Sequence, residues 1–91
     1  MPYIPKEDRN SYDDSLHMLG YRLTLPEISE EELAGHLNYC ISKLCFTLFD
    51  SRRRYVRINT IVGALEGAKQ EFIRRKVAPY EDEKIESQGD I

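Results

Sequence analysis

Residues 28–50 read ISEEELAGHLNYCISKLCFTLFD, and this stretch decides the fold. Ser29 stands three residues before Glu32, the spacing at which a serine hydroxyl and a glutamate carboxylate cap each other's backbone amides. Ile28 and Leu33 occupy the two positions of a hydrophobic staple. Glu30, Glu31 and Glu32 place three negative charges at the positive end of the helix dipole. From there Leu33, Leu37, Cys40, Ile41, Leu44, Cys45 and Leu48 recur at intervals of three and four. The spacing predicts a helix over 30–49 with Leu44 central in its apolar stripe. Tyr39, Phe46 and Phe49 flank that stripe, making the apolar side wider than one neighbouring helix covers.

Upstream, Tyr12, Leu16, Leu19 and Leu23 describe a shorter amphipathic helix over 11–24, with Asn10 or Ser11 as its cap. Pro2 and Pro5 predict an extended N-terminal arm over residues 1–10. Downstream, Ile58, Ile61, Val62, Leu65, Ala68, Phe72 and Ile73 mark a third helix over 58–77, with Asn59 as a possible cap and Tyr55 packed at its start. Pro79 pushes Ala78 away from helical geometry, so the helix is expected to end or kink there. Residues 80–91 then form an acidic tail with one short helical turn, stopped by Gly89. No stretch alternates as a strand does. The expected class is all-α, a single helical domain over 1–91 built from three main helices.

Such a short chain leaves much of its surface wet, and a single core is marginal without disulfides, a metal or a partner chain. Cys40 and Cys45 are the only cysteines. Five apart on one helix, they point to different faces and cannot bridge each other. His17 and His36 stand apart, and no Cys/His cluster has ligand spacing, so no metal or cofactor is expected. A partner chain remains, and the reading is a homo-oligomer. No apolar run reaches the length of a membrane span, and MPYIPKEDR lacks the apolar centre of a signal peptide. The expected location is the cytoplasm.

The net charge of −3 hides a strong segregation. Residues 1–34 carry three Lys/Arg against eight Asp/Glu, residues 35–80 nine against three, and residues 81–91 one against five. Arg52, Arg53, Arg54 and Arg57 crowd into six positions beside Tyr55, and Arg74, Arg75 and Lys76 form a second basic group. Long nucleic acid is a poor fit for a chain with a pI near 5.4. A small anion needs only a local arginine patch, which binds phosphate bidentately and stacks on bases. The arginines can equally pair with the acidic ends, namely Glu81, Asp82, Glu83 or the glutamates at 30–32, and both uses stay open.

Catalytic constellations are weaker. A magnesium-dependent nucleotide pyrophosphohydrolase would draw carboxylates from Glu30, Glu31 and Glu32 and from Glu66 and Glu71. Glu66 and Glu71 are five residues apart, about 140° around a helix, whereas joint ligands stand three or four apart. Glu71 is also placed to pair with Arg74 or Arg75. Cys40 and Cys45 read as structural side chains. No catalytic residue is assigned.

The segments MPYIPKEDR (1–9), HLNYCISKL (36–44) and INTIVGALEGAKQEFIRRKVAPYEDEKIESQGD (58–90) resemble a family of small proteins of unknown function found in tailed phages, bacteria and metagenomes. The likeness covers nearly the whole chain and is most specific over 58–90. His36 departs from the acidic residue common at its position, and Gly67 from a cysteine. The resemblance implies a phage or bacterial origin and transfers no activity.

GALEGA, residues 63–68, sets Gly63 and Gly67 one turn apart, with Ala64 and Ala68 repeating the spacing. Each helical glycine costs about 1 kcal/mol relative to alanine, so the pair suggests close helix approach. That approach can be to a helix of the same chain. Between two copies it would be a two-fold antiparallel contact near Leu65, which brings Arg54 and Arg57 toward the partner's Arg74, Arg75 and Lys76 around an anion. The functional reading is a small homo-oligomeric binding protein holding a nucleotide-like anion at Arg52, Arg53, Arg54, Tyr55, Arg57, Arg74, Arg75 and Lys76. A phage-borne sponge that sequesters a signalling nucleotide is its concrete form. Gly63, Ala64, Gly67, Ala68, Tyr39 and Phe46 are its interface. The alternatives are the pyrophosphohydrolase and an adaptor that binds a host protein without a small ligand.

Overall fold

The computed structural model describes residues 3–91, and among them every regular element is helical. The elements are α1 (Lys6–Leu23), α2 (Glu30–Ser51), α3 (Tyr55–Phe72), a π-helical turn (Ile73–Val77) and α4 (Ala78–Gln88). The chain divides into two compact units, Tyr3–Arg54 and Tyr55–Ile91. The all-α expectation holds, with three helical runs of which the last is continuous over 34 residues.

In the first unit, α2 begins where its capping residues place it. The Glu32 amide donates to the Ser29 hydroxyl at 3.1 Å, and the Ser29 amide donates to the Glu32 carboxylate at 3.2 Å. The Ser29 backbone amide, and next the Ser29 hydroxyl, hold the Glu32 carboxyl below its usual pKa. Ile28 and Leu33 are both half-buried, as the staple requires. At the other end the Ser51 hydroxyl donates to the Leu48 carbonyl at 2.7 Å and the Arg52 amide to the Phe49 carbonyl at 3.0 Å. Arg52 then takes an extended conformation and stops the helix.

α1 starts earlier than the apolar spacing predicts. Pro5 is extended, with ψ 149°, and the helix opens directly behind it at Lys6. The fixed φ of proline suits a helix entrance. Glu7 and Asp8 favour the same end of the dipole, and the Arg9 guanidinium donates to the Ile4 carbonyl at 3.1 and 3.2 Å. Among the described residues the non-helical arm therefore covers 3–5 rather than reaching residue 10; residues 1 and 2 of the expected arm lie outside the described ones. Ser11, expected as a cap, sits inside α1 and donates to the Asp8 carbonyl at 2.9 Å.

In the second unit, α3 begins at Tyr55 and contains Asn59, the residue expected as its cap. Tyr55 does not pack at its start: it is 85% exposed. The larger correction lies at Pro79. Ala78 has φ −61° and ψ −47°, fully helical, and its amide reaches back five residues to the Ile73 carbonyl. Proline lacks an amide, and its ring clashes with the carbonyl four residues back. One wide turn resolves both problems, and the helix runs on to Gln88. The expected short turn is an 11-residue helix, ended by Gly89 at φ 90°.

No described residue is fully buried. Leu44, expected in a core, is 58% exposed, because within its unit α1 covers little of the wide apolar side of α2. Cys40, Cys45 and Phe49 are half-buried, and both thiols are free. No helix among the described residues is long and apolar enough to cross a membrane.

Candidate functional site: the arginine segments

The first basic group is the exit of α2. Arg52, Arg53 and Arg54 are all exposed, in a tight non-helical link where the Arg54 amide donates to the Arg52 carbonyl at 3.0 Å. Three fixed positive charges beside the carbonyl end of α2 offset its dipole. The Arg53 guanidinium lies over the Phe49 ring, 5.3 Å from its centroid, a cation–π contact one helical turn long. The sequence carries this pair at i and i+4, a spacing that could have revealed it. Arg53 is thus stacked against the last turn of α2, while Arg52 and Arg54 are exposed on either side of it.

In the second unit, Tyr55 and Arg57 belong to the start of α3, while Arg74, Arg75 and Lys76 belong to the π turn. By helical rise Arg57 and Arg74 are about 26 Å apart. One copy therefore does not bring these two groups together. Glu71 grips both arginines of the π turn. Arg75 Nε stands 2.7 Å from Glu71 Oε2, and Arg74 Nη2 is 3.3 Å from each carboxylate oxygen. The pairing anticipated for Glu71 is present and makes it unavailable as an isolated metal ligand. Farther along, Lys84 stands over the Tyr80 ring at 5.4 Å, another i, i+4 pair.

Among the described residues, no three His, Cys, Asp or Glu side chains stand close enough to hold a metal ion. Glu66 instead accepts from the Gln70 side-chain Nε2 at 3.0 Å. The small-residue positions meet nothing inside their own unit: a Cβ added at Gly63 or Gly67 would find no atom within 4 Å. Ala64 and Ala68 are exposed beside them, as are Tyr39 and Phe46 on α2. Two open concavities, one along α1 at Leu16, His17 and Tyr21 and one at the end of α4, contain no arginine.

A family model described as a domain of unknown function (DUF6899) matches residues 1–91. No curated protein and no solved structure matches the chain.

Proposed function

The chain belongs to the DUF6899 family, and from its own residues we propose a self-associating helical protein that works by binding a small anion rather than by turning one over. The observation that carries this reading is the absence of a fully buried side chain among the described residues. Folding of a chain this size is stabilised by apolar burial at about 25 cal/mol per Å². Here Leu44, Phe46 and Phe72 all stay more than half exposed. Copies of the same chain supply the missing cover.

The anion reading rests on Arg52, Arg53 and Arg54. They are exposed and adjacent; Arg53 stacks on Phe49, and the planar forks of Arg52 and Arg54 can turn toward phosphate oxygens. Arg74 and Arg75 are engaged by Glu71 and serve less directly. A nucleotide fits the chemistry best, because guanidiniums hold the phosphate and stack on the base. Retention of such a ligand without turnover is sequestration, the behaviour of a sponge.

Native mass spectrometry of freshly purified protein tests both parts. The expected result is a whole-number multiple of the 10.7 kDa chain that carries or takes up cyclic or linear nucleotides. Changing Arg52, Arg53 and Arg54 together to Ala should abolish uptake and leave the assembly intact. A monomer at micromolar concentration overturns self-association. Uptake unchanged by the triple substitution overturns the site, and hydrolysis of nucleoside triphosphates with magnesium would replace the reading with an enzymatic one.

A further inference from the structure

The 34-residue helix formed by α3, the π turn and α4 carries its charge in an unusual order. Residues 55–76 hold five Lys/Arg against two Asp/Glu, and residues 77–91 hold one against five. A helix is ordinarily favoured by acids in its first turn and bases in its last. This helix is reversed, so its side-chain charges add to the backbone dipole instead of opposing it. An antiparallel neighbour of the same kind cancels both.

The apolar pattern continues through the π turn. Ile58, Ile61, Leu65 and Phe72 recur at helical spacing, and the Ala78-to-Ile73 bond makes the next turn five residues long. That wide turn sets Val77 above Phe72, where an unbroken α-helix would have turned it about 140° away. Ile58, Leu65 and Phe72 are exposed.

We propose that this face docks against the same face of a second copy, antiparallel, with the two-fold axis at Gln70. The proposal rests on the self-association inferred above and assigns its geometry. Residue 70−n of one copy then lies level with residue 70+n of the other. Arg57 comes level with Glu83 on one flank of the stripe, and Glu66 with Arg74 on the other. Ala68 lies level with Phe72, so a small side chain faces a large one. A crossing near Leu65, the centre expected from the small residues of GALEGA, instead brings Arg54 level with Lys76 and Tyr55 level with Arg75. Continuation of the helix to Gln88 moves the centre and replaces repulsion with complementarity.

Charge reversal tests the register. Arg57→Glu and Glu83→Arg are made singly and together in the full chain and followed by sedimentation across a dilution series. Each single variant should raise the dissociation constant about tenfold or more at low salt, and the double variant should recover most of the loss. Single variants that associate like the parent overturn this register while leaving self-association standing, and so does a double variant no better than the singles. A parent chain that is monomeric throughout the series overturns both. Circular dichroism of each variant confirms equal helix content, so that a folding defect is not read as an interface defect.

Discussion

Ser29 and Glu32 cap each other: each side chain accepts from the other's backbone amide, at 3.1 and 3.2 Å. Two of the four amides left without partners at the start of α2 are satisfied by this exchange. Ser29→Ala removes one of the bonds and should cost about 1 kcal/mol. An unchanged urea midpoint would mean that α2 derives its start from something other than this pair.

The same pair makes α2 sensitive to acid. The Glu32 carboxyl is held below its usual pKa by the Ser29 amide and hydroxyl, so folding favours its charged form. Its contribution is full above the unfolded glutamate pKa and disappears as pH falls through the lower folded value. Helix content by circular dichroism should therefore drop over that acidic window. Glu32→Gln keeps an acceptor at the same position without a titrating group, and should flatten this part of the profile.

Glu71 bridges Arg74 and Arg75 on an exposed helix surface. Exposed i, i+4 pairs are worth about 0.3–0.5 kcal/mol. Glu71→Gln should thus cost less than about 1 kcal/mol, and the difference should vanish at high salt. A larger loss, or one that persists in molar salt, would show that Glu71 has a partner beyond its own helix.

Leu44→Ala separates a core from an interface. A buried leucine cut to alanine costs about 2–5 kcal/mol at any protein concentration. Leu44 is more than half exposed in the single chain. Its loss should instead lower the melting temperature most where the protein is concentrated enough to associate, and hardly at all at high dilution. A large loss independent of concentration would return Leu44 to an intramolecular core.

Replacing Pro79 restores the missing amide. Pro79→Ala should let Ile73–Val77 relax toward α-helical bonding, with a gain of up to about 3 kcal/mol in local helix stability. Carbon chemical shifts and amide exchange over 72–80 report it directly. If the five-residue bonding persists in the alanine variant, proline is not its cause.

The start of α2 was legible because its determinants lie within four residues of one another and act on backbone amides alone. The start of α1 was obscured by reading Pro5 as part of an arm, although a proline can precede a helix as easily as it prevents one. At Pro79 the rule that displaces the preceding residue assumed α-helical bonding, and the wider turn lies outside it. Glu71 with Arg74 and Arg75 could be read from spacing. Leu44 could not, since periodicity identifies an apolar face but not the chain that covers it. The arginines were equally visible as residues and opaque as a site, because helical spacing sets 57 and 74 about 26 Å apart in one chain and does not state what a second chain brings to either.

The π turn at Ile73–Val77 resembles a dislocation in a crystal: one extra residue in an otherwise regular lattice of hydrogen bonds. In a uniform sequence such a defect can migrate, each step exchanging one five-residue bond for a four-residue bond. Pro79 offers no amide to exchange, so the defect is pinned. The phase of α4 relative to α3 is thereby written into a single covalent ring. An inserted residue elsewhere in the helix would rotate everything beyond it, with no mobile defect left to absorb the error.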